Sequence, residues 1–345
     1  MSRPILVLKA GTASITRPDG SLDEPVMVDM AAQIARLHAD YRVLIVSSGA
    51  VGAGKRFLPA YSGQITERKA AAAIGNPLLM NKYAQFLAPY GIAIAQSLCE
   101  RQHFANRTQF LQLRDTFETL WDNQIIPIAN ENDVVSNREL KFSDNDELAT
   151  LMAVGFGASL LLLGTSVPGV LDAQGQVVRE IARFDAAVLG LATRETSGTG
   201  LGGMISKLTF ARLATRMGIR TVIFGVRTPG SILRAVAGET GTICLPQETH
   251  LSSRSKWLGS GSLVIGRIEV DAGACEALMR RRSLLAVGVR AVPDEFDSGE
   301  VVEIAPEGGL PFAVARVRLS SAEILDRMGI HNVEIAHADD IVLLD

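Results

Sequence analysis

The chain predicts a doubly wound, mainly parallel α/β fold, and three observations carry that prediction. Short runs rich in Val, Ile and Leu recur from the N-terminus onward, segments of helical periodicity lie between them, and 345 residues suffice for a large core and two domains. In order, residues 5–8, 43–46, 92–96, 125–129, 160–163 and 221–224 are expected to be buried parallel strands. Residues 26–38, 67–87, 108–121, 146–156 and 205–217 have helical spacing, and each is able to cross one face of the sheet.

Composition narrows the function classes. Hydrophobic residues make up 47% and charged residues 21%, as in ordinary globular proteins, and a net charge of −3 gives no general attraction to nucleic acid or anionic membrane. No apolar run approaches the roughly 20 residues of a membrane span. The N-terminal segment reads as a strand and not as a basic region followed by an apolar leader, so the cytoplasm is the expected location. Cys99, Cys244 and Cys275 are scattered singly and the five histidines lack ligand spacing, so neither a disulfide framework nor a metal site is expected.

In doubly wound sheets ligands collect beyond the carboxyl ends of the strands. Lys9, Ala10, Gly11 and Thr12 follow the first run, and the small residues of SSGAVGAG, from Ser47 through Ser48, Gly49 and Ala50 to Gly54, follow the second. Such residues let backbone N–H groups approach an anion closely. The segment GTGLGGMISK, residues 198–207, places Lys207 in a second glycine-bearing loop. Two lysines in such loops suggest phosphoryl transfer, which needs cations and N–H donors more than a nucleophilic side chain. Neither loop is a Walker A motif, and no strand immediately precedes Gly198, Gly200 and Gly203, so the dinucleotide fingerprint fails its context. Plain turns are the alternative for either loop.

NEND, residues 130–133, follows the fourth run, and DNDE, residues 144–147, opens a helix. Asp133 or Asp144 can face the ammonium of an amino acid while Asn130 or Asn145 donates to its carboxylate. Helix capping by DND is the competing explanation. Four strand ends with polar or glycine-rich groups, all opening on one edge, favour a ligand site there.

The order VLKAGT, SSGAVGAG, NEND, DND, GLGGMISK resembles the amino acid kinase family across residues 1–250, and the NEND to DND spacing resembles its glutamate-phosphorylating members. From residue 266, IGRIEVDAGACEALMRRRSLLAVGV and FDSGEVVEI resemble the opening of a PUA domain, a small β-rich module. The expected organisation is a kinase domain at 1–250, a linker at 251–264 and a PUA-like domain at 265–345. The resemblance implies ATP-dependent phosphorylation of the γ-carboxylate of L-glutamate to L-glutamyl 5-phosphate, the opening step of proline biosynthesis. Magnesium on the ATP phosphates, feedback inhibition by proline and a homo-oligomer, dimer or tetramer, are implied with it.

Carried over by position, Lys9 and Lys207 would face the transferring phosphoryl group, with Asp146 orienting both. Ser48, Gly49, Ala50, Asn130, Asp133, Asp144 and Asn145 would hold glutamate. Lys9, Gly11, Thr165, Ser166 and Leu201, Gly202, Gly203, Met204, Ile205, Ser206 and Lys207 would hold the nucleotide. Ser166 departs from the family's usual Thr-Asp and removes an acceptor near the nucleotide, and Ala10 and Ala13 are small where the family often has a larger residue or a serine. Rival expectations are a sister kinase for N-acetylglutamate or aspartate, and a kinase-derived regulatory or RNA-binding protein. Residues 265–345 hold 8 Arg and no Lys against 15 Asp plus Glu, a net of −7, so RNA binding is not expected. Their one basic run, Arg280, Arg281 and Arg282, reads as a solvated helix end.

Overall fold

The computed structural model describes residues 3–105, 107–134, 144–184, 188, 191, 201–247, 264–309 and 311–343. The chain forms two compact units, Met1–His103 with Thr108–Thr249, and His250–Asp345 with Phe104–Arg107.

The first unit is built on β1 (Ile5–Ala10), β2 (Arg42–Ser47), β3 (Ile94–Cys99), β4 (Ile126–Glu131), β5 (Leu160–Thr165), β6 (Glu180–Ile181), β7 (Arg220–Gly225) and β8 (Thr242–Cys244). They form one sheet in the order β3-β4-β2-β1-β5-β7-β8-β6. Every pairing is parallel except β7 with β8. Helices α1 (Thr12–Ile15), α2 (Glu24–Leu37), α3 (Ala50–Lys55), α4 (Ile65–Leu87), α5 (Gln102–Ala105), α6 (Arg107–Asp122), α7 (Asn145–Phe156), α8 (Leu201–Arg216) and α9 (Ser231–Ala237) connect the strands. All six residues of β1 and of β4 are buried, as expected for central strands with a packed layer on each face. Leu6, Leu8, Met30, Ile34, Val43, Ile45, Leu79, Ile128, Leu162 and Phe224 belong to one core.

All six predicted strands run past the apolar stretch that predicts them, because a strand stays in its ladder as long as a neighbour pairs with it. Lys9 is in register with Val46 and Leu163, and Ala10 with Ser47. Lys9, Ser47, Asn130 and Thr165 therefore lie on strands and not in loops. The expected turn at SSGAVGAG is confined to Ser48 and Gly49. Gly49 has φ of +105°, a left-handed conformation that favours glycine, and Ala50–Lys55 is helix α3. Close packing explains the small residues there. A Cβ on Gly54 would lie 1.9 Å from the Ala71 carbonyl oxygen, and one on Gly75 would lie 1.7 Å from that of Ala50. The glycine loop at Leu201–Lys207 is likewise helical, the start of α8. Met204, Leu208, Ala211 and Ala214 are buried at helical spacing, and this burial overrides the low helix propensity of Gly202 and Gly203. Gly198 and Gly200 lie outside the described residues.

The second unit carries β9 (Val264–Val270), β10 (Leu284–Leu285), β11 (Val289–Ala291), β12 (Val301–Pro306), β13 (Ala313–Arg316), β14 (Glu334–Ala336) and β15 (Ile341–Leu343), with helices α10 (Ala272–Met279) and α11 (Ser321–Arg327). A five-stranded sheet runs β11-β9-β12-β13-β15, and β10 pairs with β14. The unit has its own core, including Ile268, Leu278, Val302, Ile304 and Ile324. Asp271 caps α10, and Ser320 with Glu323 forms a capping box on α11. Arg280, Arg281 and Arg282 are exposed where α10 ends. Of the expected linker, residues 251–263 lie outside the described residues, and Val264 opens β9. Among the described residues, no helix is long and apolar enough to cross a membrane.

Candidate active site

The sheet delivers Lys9 to the carboxyl end of β1, where it is only 5% exposed. Asp146 reaches it from α7, whose first turn is set by Asp144. The Asp144 backbone is extended, and its Oδ1 accepts the N–H groups of Asp146 and Glu147 at 2.8 and 3.2 Å. This fixes Asp146 and Glu147 in the first turn, where the helix dipole favours negative charge. Asp146 Oδ1 lies 2.7 Å from Lys9 Nζ and Oδ2 lies 2.7 Å from Lys207 Nζ, which arrives on α8.

Asp146 is 1% exposed and Lys207 7%. Burial pushes the Asp146 pKa up, but Lys9 and Lys207 together outweigh it and hold the carboxyl below its usual range. Burial lowers the Lys9 pKa, Asp146 opposes that, Lys207 adds repulsion, and the net effect is downward. One carboxylate shared by two ammonium groups leaves these three side chains with an excess positive charge away from water. Asp144 adds a smaller attraction to Lys9, and two ammonium groups in contact with a single carboxylate can take up an incoming anion.

A chain of amides and hydroxyls extends from the same turn. Asn145 Nδ2 donates to Ser48 Oγ at 2.8 Å and to Asn130 Oδ1 at 3.0 Å, while Asn130 Nδ2 donates to Asn76 Oδ1 at 3.1 Å. Asn145 Oδ1 is buried and has no hydrogen-bond partner among the described residues. Ser47 and Tyr83 hydroxyls lie 2.9 Å apart beneath this chain, and burial, partly opposed by that bond, pushes the Tyr83 pKa up to about 12. Asp133 is half-buried in the turn after β4. Beside Asp146, Glu147 is 2% exposed and accepts from Arg101 Nε and an Arg101 terminal nitrogen at 3.0 and 2.6 Å.

The structure also places the residues expected around a nucleotide. Thr165 ends β5, its carbonyl accepting from Val226 N–H at 3.1 Å, and Ser166 is exposed beyond it. The end of β5 abuts that of β1, since a Cβ on Gly164 would lie 2.7 Å from the Lys9 carbonyl oxygen. A Cβ on Gly11 would stand 3.4 Å from Lys9 Nζ. On α8, Met204 is buried in the core, Ile205 is 43% exposed, and no described atom lies within 4 Å of where a Cβ on Gly203 would be. Nothing is described of the Leu201 and Gly202 surroundings. Ser206 Oγ donates to Asp144 Oδ2, so Asp144 both caps α7 and holds α8.

Thus Lys9, Asp144, Asp146, Ser206 and Lys207 form one bonded group, and Ser48, Asn130 and Asn145 another that adjoins it through α7. Asn76, Tyr83, Arg101 and Arg227 escaped the sequence reading. Asn76 had a signal, a polar residue amid Ala, Gly and Pro on α4. Arg227 had one too, because it follows β7; its guanidinium holds the carbonyls of Ala13 and Thr16 at 2.6–3.1 Å and Asp23 at 3.1 Å, pinning the segment after β1.

A buried aspartate contacted by one lysine at the carboxyl end of β1 and by another from α8, beside the Ser48–Asn145–Asn130 chain, is the site of a phosphotransferase. Residues 4–225 match the amino acid kinase family and residues 266–338 match the PUA domain, and the chain belongs to the amino acid kinase family. A glutamate 5-kinase from Klebsiella pneumoniae subsp. pneumoniae is 36% identical over an alignment covering 98% of each chain. Another from Escherichia coli O1:K1 / APEC is 36% identical over 96% of this chain and 93% of its own. Among solved structures, carbamate kinase from Giardia lamblia bound to AMP-PNP superposes with a TM-score of 0.52 at 19% identity, covering 71% of this chain and 99% of that chain; this likeness concerns the fold.

Proposed function

We propose that the protein is an ATP-dependent kinase that phosphorylates the γ-carboxylate of L-glutamate, yielding L-glutamyl 5-phosphate for proline biosynthesis. The observation that carries the proposal is the Asp146 carboxylate held at 2.7 Å by both Lys9 and Lys207 next to the Ser48–Asn145–Asn130 chain. Relatives similar over nearly the whole chain, named glutamate 5-kinase, support the choice of substrate.

In this reading the substrate's carboxylate is the nucleophile and needs no general base. Catalysis is positioning and charge neutralisation. Lys9 and Lys207 meet the transferring phosphoryl group, and Asp146, 2.7 Å from each, aims both side chains. Asn145 Oδ1, with Asp133, receives the glutamate ammonium, while Ser48, Gly49, Ala50 and Asn130 line the same recess. Gly11, Thr165, Ser166 and the start of α8, Leu201 to Lys207, border the nucleotide.

Magnesium would enter on the ATP phosphates. Among the described residues no three His, Cys, Asp or Glu side chains gather as a cage, and magnesium on ATP keeps several waters and binds phosphate oxygens. When bound it neutralises phosphate charge, with no protein ligand required. The proposal includes proline as feedback inhibitor, a homo-oligomeric dimer or tetramer, a cytoplasmic location, and the division into kinase domain 1–250, linker 251–264 and PUA-like domain 265–345. RNA is not part of it, given the acidic balance of that last segment.

The test is ATP consumption with magnesium and L-glutamate, trapping the acyl phosphate with hydroxylamine and running N-acetylglutamate, aspartate and added proline in parallel. Hydroxamate from L-glutamate, suppressed by proline, is expected. Product only from another acid would keep the site and replace the substrate.

A further inference from the structure

Ser206 and Lys207 are neighbours on α8, and both reach the start of α7. Lys207 Nζ donates to Asp146 Oδ2 at 2.7 Å, and Ser206 Oγ donates to Asp144 Oδ2. The other oxygen of Asp144 holds the backbone N–H groups of Asp146 and Glu147. Between the two aspartates, Asn145 bonds Ser48 and Asn130. Three consecutive residues thereby tie together the amide chain, both lysines and the beginning of α8.

The two bonds to α8 are unequal in what they fix. A lysine gripped at its ammonium leaves several rotatable bonds before its own backbone, whereas a serine hydroxyl stands one bond beyond Cβ. The Ser206 link therefore locates the α8 backbone, and the Lys207 link alone does not. Among the residues of this end of α8 whose burial is described, 203–207, apolar anchoring rests on one side chain. Gly203 is exposed, Ile205 is 43% exposed, and Met204 is the buried residue before Leu208.

We propose that Ser206 is a positioning residue that, through Asp144, sets the approach of Lys207 to Asp146, joining the acceptor side and the nucleotide side of the site into one mechanical piece. This adds a positioning role to the expected assignments of Ser206 to the nucleotide and Asp144 to glutamate. Only its kinetic consequences rest on the kinase reading above.

The experiment compares Ser206→Ala, Ser206→Thr, Asp144→Ser and the Asp144→Ser/Ser206→Ala pair. Asp144→Ser keeps an oxygen able to cap α7 but removes the one that Ser206 engages. Ser206→Ala should lower kcat about 10- to 100-fold, as displacement of a reacting group by about 1 Å does. KM for ATP should change much less, and Ser206→Thr, which keeps the hydroxyl, should recover most of the loss. The double variant should fall no further than its worse parent, the signature of two groups acting through each other. In parallel, amides of residues 203–208 should exchange hydrogen faster in Ser206→Ala and at the native rate in Ser206→Thr. Additive losses, a raised ATP KM at unchanged kcat, or unaltered exchange in Ser206→Ala would overturn the proposal. Exchange decides it even if the wild-type protein phosphorylates an acid other than glutamate.

Discussion

Replacing Asp146 by Asn keeps the side chain's size and removes the charge that two ammonium groups share at 2.7 Å each. At that distance, with an effective dielectric of about 20, the gross attraction is about 6 kcal/mol per lysine. Desolvation offsets most of it, and removing one partner from a buried ion pair typically costs about 3–5 kcal/mol. At roughly 2–4 °C per kcal/mol for a unit of this size, Tm should fall by about 6–20 °C.

Activity should suffer more than stability. Both lysines lose the group that aims them, and loss of one preorganised electrostatic contact costs about 10²–10³ in kcat, so Asp146→Asn should fall by at least about 10³. Asp146 also raises the Lys9 pKa against burial, so without it the alkaline limb of the rate profile should move to lower pH. The assay is hydroxamate formation against pH, with thermal unfolding of both proteins. A variant that keeps kcat within about tenfold and Tm within about 2 °C would refute the shared-carboxylate account.

Three further outcomes are expected. Lys207→Ala should lower kcat more than it raises the glutamate KM, whereas Asn145→Ala should chiefly raise that KM; steady-state kinetics giving equal effects would break the division of roles. Gly75→Ala should destabilise by about 3 kcal/mol or more in denaturant unfolding, because its Cβ would lie 1.7 Å from the Ala50 carbonyl oxygen. Gly203→Ala, where no described atom opposes a Cβ, should leave stability equal or slightly raised and increase the ATP KM.

His38 is 8% exposed, and burial followed by repulsion from Arg3 lowers its pKa from 6.5. The unfolded chain therefore binds this proton first, so the contribution is fully present above pH 6.5 and declines as pH falls below it. Melting temperatures of wild type and His38→Gln should diverge least under acid conditions, which the same pH series measures.

The parallel sheet was legible because its strands are buried on both faces and read as unbroken apolar runs. The strand ends were less so. Lys9, Ser47 and Asn130 lie inside β1, β2 and β4, since neighbouring strands carry the ladder past the hydrophobic stretch, and no local pattern announces how far pairing extends. Glycine misled in two places for one reason. Gly54 is selected by the contact of α3 with α4, and Gly203 sits in a helix held by Met204 and Leu208, so neither marks a loop. The residues around Asp146 could be named from sequence because a carboxylate-amide-carboxylate run opening a helix is conspicuous. That Asp144 caps this helix and also holds Ser206 could not, because the two are brought together only by the packing of α7 against α8. The Arg101–Glu147 pair was illegible too, because Arg101, which follows β3, meets α7 only in the folded chain.

The most direct test of the central claim follows an atom. L-Glutamate labelled with oxygen-18 in its γ-carboxylate is incubated with ATP, magnesium, hydroxylamine and the protein, and the released phosphate is weighed by mass spectrometry. If the carboxylate attacks phosphorus, the acyl phosphate carries a labelled bridging oxygen, hydroxylamine cleaves it at carbon, and each phosphate leaves with one labelled oxygen. Unlabelled phosphate would mean that water, not glutamate, took the phosphoryl group, and would contradict the account.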